Sequence, residues 1–99
     1  MNTLHEQHLI NRIVQIIKTY LHPKTIILFG SRTTENHKEY SDFDIAVDKV
    51  EIDIRKERLL KEALDNELGI YTVDLINLDK VDSEFKELVL KKGRIIYEH

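Results

Sequence analysis

The sequence contains no cysteine, which excludes disulfide bridges, thiolate zinc sites and a cysteine nucleophile. Its longest purely apolar run, Ile26 to Phe29, falls far short of the roughly 20 residues that cross a bilayer. The N-terminus has no basic region followed by an apolar run, so we predict no signal peptide. These absences make a cytoplasmic protein with no membrane contact the default expectation.

The composition describes one small domain, residues 1–99, with 41% hydrophobic and 33% charged residues. A domain of this size builds one modest core. It has little area left for a separate substrate-binding lobe, so an enzyme of this size would find part of its substrate site on another molecule. The net charge of −3 argues against a direct nucleic-acid ligand held by bulk electrostatics.

The apolar spacing predicts an α/β domain with flanking helices. Helices are expected over residues 4–21, 53–68 and 82–92, a short helix over 31–36, and strands over 25–29, 42–47, 70–78 and 94–97. The only proline, Pro23, should end the first helix, and Thr3 with Glu6 has the spacing of a capping box at its start. A full helix between the second and third strands predicts that they are parallel, whereas the first two can pair antiparallel. The expected sheet is small and mixed, with three strands and a fourth from 94–97.

The first strand runs directly into Gly30 and Ser31. Glycine permits positive φ and lets a ligand approach the backbone, and a serine can cap a short helix whose amides bind an anion. A phosphate is the expected ligand of such a turn. Taken alone, a single Gly-Ser pair is more often an ordinary strand-to-helix turn, because such pairs are common.

The second strand opens with Asp42 and Asp44, which alternation places on one face, with Phe43, Ile45 and Val47 on the core face. Aspartate is disfavoured in strands, and two on one face repel each other unless a cation lies between them. The alternative is a solvent-facing strand edge. Together with the Gly-Ser turn, this pair favours metal-dependent chemistry on a nucleoside triphosphate.

The third strand contains one carboxylate, Asp74, in an otherwise apolar run. If it is buried and unpaired there, its charge is costly, so we expect a partner or a metal. The alternative is a strand-edge aspartate paired with a nearby lysine.

Two motifs carry a resemblance to a known family: Phe29-Gly-Ser-Arg32 and Ser41-Asp-Phe-Asp-Ile-Ala-Val47, with ten residues between Ser31 and Asp42. This pattern resembles the polymerase-beta-like nucleotidyltransferase superfamily and, in so short a chain, its minimal nucleotidyltransferase (MNT) family. The resemblance implies the superfamily fold, with the catalytic carboxylates also holding Mg²⁺ or Mn²⁺ and a turn binding the phosphates of ATP. The implied ligands are Asp42, Asp44 and Asp74 for the metal, and Gly30, Ser31 and Arg32 for the nucleotide; otherwise Arg32 is a surface residue.

Members of this family commonly work with a separate helical HEPN protein, and in toxin-antitoxin pairs that partner is an RNase toxin. The resemblance therefore implies an antitoxin that transfers AMP from ATP to a tyrosine of the toxin and releases pyrophosphate. Two alternatives stay open: an antitoxin that acts by binding alone, and a small-molecule nucleotidyltransferase with a separate substrate-binding subunit. Thr33, Thr34 and Glu35 replace the small residue, arginine and glycine that follow the Gly-Ser-Arg of many members, so a cation is missing there.

Overall fold

A computed structural model describes residues 3–33, 42–48 and 51–99. These residues form three helices and four strands, with one 3-10 turn, Gly30–Thr33, after the first strand; we call it the glycine turn. The predictions for residues 34–41 lie outside the described residues. The elements are α1 (Thr3–Tyr20), β1 (Thr25–Phe29), β2 (Phe43–Asp48), α2 (Ile54–Leu68), β3 (Val73–Asn77), α3 (Ser83–Lys92) and β4 (Arg94–Glu98).

The strands form one mixed sheet in the order β3-β2-β1-β4. β2 pairs antiparallel with β1 and parallel with β3, and β4 adds antiparallel to the free side of β1. The helix α2 provides the crossover that a parallel pair needs. The predicted fold class, strand directions and fourth strand are all confirmed.

Both faces of the sheet are covered. One face packs against α1 and α2 in the main core, which includes Ile26, Leu28 and Phe43. The opposite face packs against α3 in a smaller cluster built on Ile27 and Ala46. The uninterrupted apolar run of β1 is thus explained by burial on both sides, as predicted.

Local signals set the ends of the two later helices. The carboxylate of Asp53 accepts a hydrogen bond from the Lys56 amide at 2.7 Å, and Asp82 accepts one from the Phe85 amide at 2.8 Å. Both are side-chain caps of the first helical turn. No helix among the described residues is long and apolar enough to span a membrane.

The main difference from the predicted elements lies at the third strand. It begins at Val73 rather than at residue 70, because Ile70 and Tyr71 belong to the connection from α2. Ile70 is 72% exposed, whereas Tyr71 turns into the main core. The shorter strand places Asp74 next to its start.

Candidate active site

The glycine turn lies directly against the start of β2. Gly30 has φ of +78°, a conformation that other residues rarely adopt. A Cβ at this position would overlap Oδ2 of Asp44 and stand 3.0 Å from its Cγ. Only glycine therefore fits both the backbone angle and the space, and its absence of a side chain lets the turn touch the carboxylate.

The sheet register places the predicted carboxylates at the same end of two neighbouring strands. Parallel pairing aligns Asp44 of β2 with Asp74 of β3, and Asp42 precedes Asp44 by two residues. Neighbouring strands lie about 4.8 Å apart, so aligned side chains on one face are close neighbours. On its other side Asp44 is aligned with Phe29, the last residue of β1.

Asp44 is the electrostatically strained member of this group. Burial raises the pKa of Asp44 above its ordinary value, and the carboxylates of Asp74 and Asp42 raise it further. A divalent cation with oxygen ligands would relieve this repulsion, because carboxylates are the groups that Mg²⁺ and Mn²⁺ prefer. The donor set at this end of the sheet therefore fits such an ion.

The three carboxylates are nevertheless not a preformed cage. In the described part of the chain, no three acidic or histidine side chains are grouped so that they could already hold a metal ion. Asp42 and Asp74 are both exposed, and only Asp44 is half-buried. Because Asp74 is exposed, the burial that would make its charge costly is absent, and its role as a metal ligand stays a prediction.

Arg32 differs most from what its sequence position predicted. Its side chain is 3% exposed, so it is not a surface arginine. The guanidinium donates from Nη1 to Oε2 of Glu6 at 3.0 Å and stacks over the Phe43 ring at 4.0 Å from the centroid. Its contact with phosphate stays a prediction. The predicted roles of the Ser31 hydroxyl and of Thr34 and Glu35 lie outside what the structure describes.

Sequence reasoning missed Glu6 and Tyr71 as neighbours of the site. Glu6 was predicted to cap α1, yet it pairs with Arg32 across 26 residues of sequence. Tyr71 stacks on Phe43 with 5.8 Å between ring centroids, and its hydroxyl lies 3.1 Å from Nε2 of His5. One signal in the sequence could have indicated this contact. Glu6 is an acidic residue in the first turn of α1, and the apolar residues of α1 pack in the same core as Phe43.

An open cleft lies at the other end of β2 and β3, away from the carboxylates. It encloses about 460 Å³ and is lined by Glu51, Ile52, Asp53, Lys56, Asn77, Asp79 and Lys80. Its lining carries three acidic and two basic side chains, so it favours no ligand of one charge.

Comparisons with known proteins agree with this geometry. The family model of the polymerase beta nucleotidyltransferases matches residues 11–99. The probable protein adenylyltransferase MntA of Haemophilus influenzae is 34% identical over 88 residues, covering 87% of this chain and 77% of that protein.

Two solved structures share the fold. One, of a toxin-antitoxin pair with AMP-PNP, has a TM-score of 0.77 at 25% identity and covers 91% of this chain and 73% of its own. The other, of a tri-AMPylated Shewanella oneidensis HEPN toxin in complex with its MNT antitoxin, has a TM-score of 0.73 at 24% identity, covering 94% and 72%. With a glycine turn set against aligned aspartates, and a family model that spans all but the first ten residues, this chain belongs to the polymerase beta nucleotidyltransferase family.

Proposed function

We propose that this protein transfers AMP from ATP to a tyrosine of a helical HEPN-domain toxin and thereby acts as its antitoxin. The observation that carries the proposal is the contact between the glycine turn and Asp44, at the point where Asp44 is aligned with Asp74. The similarity to MntA and to structures of toxin-antitoxin pairs supports the choice of AMP and of a protein acceptor.

The proposed roles follow from where the residues lie. Asp42, Asp44 and Asp74 would hold Mg²⁺ or Mn²⁺, which supplies positive charge against the triphosphate when it is bound. The backbone of Gly30 and Ser31 would bind the phosphates beside these carboxylates. The tyrosine oxygen would form a bond to the α-phosphorus while the bond to pyrophosphate breaks, and a carboxylate of the group would accept the phenolic proton.

Each carboxylate has a distinct place in this arrangement. Asp44 is half-buried beside Gly30, which would place the phosphates next to it. Asp42 and Asp74 are exposed and would turn toward Asp44 when substrate and ion bind. Exposure on the open side also leaves room for a partner protein to present its tyrosine. ATP and the toxin would meet this site in the cytoplasm.

A second function, inhibition by binding alone, is favoured by one observation. The described carboxylates are not grouped as a ready-made metal site, and an antitoxin that only blocks its partner needs no such site. The two functions differ in whether the acidic residues are needed for neutralisation.

The test uses purified protein, Mg²⁺, ATP labelled on the α-phosphate and the helical protein encoded by the adjacent reading frame. We expect label on the partner with the wild-type chain and none with Asp42→Asn/Asp44→Asn. Asp65→Asn, an exposed aspartate on α2, is the matched control and should transfer label normally.

Two results would contradict the proposal. A stable complex without label would support the antitoxin that acts by binding alone. Neither label nor complex would support a small-molecule acceptor. Competition by unlabelled ATP, GTP, CTP and UTP in the same assay identifies the preferred base.

A further inference from the structure

The arginine of the Gly-Ser-Arg motif is turned away from the carboxylates and into the main core side of the sheet. Its guanidinium lies 4.0 Å from the centroid of Phe43 and 5.6 Å from that of Tyr71. Phe43 is fully buried on the α1 side, and its sequence neighbours Asp42 and Asp44 point the other way. Arg32 therefore lies on the opposite face of β2 from the two aspartates.

This position connects the two halves of the site. Arg32 belongs to the glycine turn, and Phe43 is the residue between the two aspartates of β2. Stacking of the guanidinium on the ring is attractive because the ring face is negative, and the attraction is larger when both groups are desolvated. The stack therefore connects the glycine turn with the strand that carries the carboxylates.

Glu6 provides a negative charge that compensates the buried positive charge of Arg32. A guanidinium 3% exposed needs an acidic partner, and the Glu6 side chain is itself only 16% exposed at 3.0 Å from it. Glu6 lies in the first turn of α1, and the residue before it, His5, contacts the Tyr71 hydroxyl. The helix start, the glycine turn and β2 thus meet in one cluster.

We propose that Arg32, held by Glu6 and stacked on Phe43 and Tyr71, is a positioning residue that sets the glycine turn at its working distance from the aspartates. We call this cluster of four residues the Arg32 clamp. The inference rests on the proposed function for its effect on catalysis, but the clamp itself is a property of the folded chain. It assigns Glu6, far from the motif in sequence, a role in nucleotide transfer.

A direct phosphate contact by Arg32 makes the opposite prediction for Glu6. If Arg32 has to leave Glu6 to bind ATP, then Glu6→Gln releases it and ATP binding should improve or stay unchanged. If Arg32 acts through the clamp, Glu6→Gln and Arg32→Lys should impair the same step. The double variant should then be no worse than the poorer single variant, because one interaction cannot be lost twice.

The experiment compares Glu6→Gln, Arg32→Lys and their double variant with Glu67→Gln. Glu67 pairs with Arg12 of α1 at 2.8 Å, but both side chains are more than two-fifths exposed, so it is a matched ion pair remote from the site. The first readout is hydrogen exchange of the amides in residues 27–33, which requires no catalysis. The second is kcat and KM for ATP in the transfer assay, measured where each variant is fully folded.

We expect faster exchange over residues 27–33 in both clamp variants and no change in Glu67→Gln. Displacement of a catalytic group by about 1 Å costs on the order of a hundredfold in rate, so kcat/KM should fall about ten- to a hundredfold in each clamp variant. Glu6→Gln keeps the shape of the side chain and an acceptor oxygen, so this variant alone tests the Arg32 clamp if Arg32→Lys does not fold.

Unchanged exchange and unchanged kinetics in Glu6→Gln would overturn the clamp while leaving the proposed function intact. A rise in KM confined to Arg32→Lys would overturn it in favour of direct phosphate contact. If the wild-type chain transfers no AMP, the proposed function fails, and the exchange measurement still tests the clamp alone.

Discussion

Replacing Gly30 with alanine should destabilise the protein more than the same change at Gly69, although both glycines have positive φ. At Gly69, φ is +61° and a Cβ would meet nothing within 4 Å. Forcing alanine into such a backbone costs about 1–3 kcal/mol. At Gly30 the same penalty applies, and the added Cβ also overlaps the Asp44 carboxylate.

The size of the difference follows from this overlap. Overpacking a tight site costs about 1–3 kcal/mol, so Gly30→Ala should lose roughly 2–6 kcal/mol in total. That is a large part of the roughly 5–15 kcal/mol that stabilises a typical domain. Adding Asp44→Ala should recover part of the loss, because it removes Oδ2 and Cγ and leaves only the Asp44 Cβ, 3.3 Å away.

The assay is urea unfolding followed by circular dichroism, with Gly69→Ala, Asp44→Ala and the Gly30→Ala/Asp44→Ala double variant measured in parallel. We expect the double variant to lose less stability than the sum of the losses in the two single variants. Equal losses at Gly30 and Gly69, or additive effects of Gly30→Ala and Asp44→Ala, would refute the contact between turn and carboxylate.

Three further predictions concern charge and capping. The pKa of Asp44 is raised in the folded chain, so its contribution to stability is fully present below the unfolded pKa and is lost as pH rises through the folded pKa. In metal-free buffer, the free energy of unfolding measured with urea should therefore fall between acidic and neutral pH, and Asp44→Asn should make this fall smaller. Adding Mg²⁺ should raise the melting temperature of the wild-type chain at neutral pH, less so at acidic pH, and hardly at all in Asp42→Asn/Asp44→Asn; an equal rise in that variant would show that the ion binds elsewhere. Asp82→Ala should lose about 0.5–2 kcal/mol with unchanged transfer, because it removes only the cap on the Phe85 amide; a loss of transfer would give α3 a role at the site.

Short-range signals explain why so much of the fold was predictable. The end of α1 before Pro23 and the caps at Asp53 and Asp82 depend on residues a few positions apart. Strand directions followed from the lengths of the connections. The alignment of Asp44 with Asp74 then needs only the parallel pairing of β2 with β3.

What could not be predicted depends on contacts across the chain. The burial of Arg32 depends on Glu6, whose approach requires α1 to lie over the start of β2. Asp74 is exposed on β3, which is an edge strand of the sheet. Neither arrangement leaves a periodic pattern in the sequence.

The burial of β2 on both faces determines how the site can be lost. Phe43, Ile45 and Val47 are fully buried on one face and Ala46 on the other, so β2 can separate only when both cores open. Segments of this kind exchange their amides at the rate of global opening. Heat inactivation and loss of helical structure should therefore share one midpoint, and a preparation that retains its fold retains the geometry of Asp44.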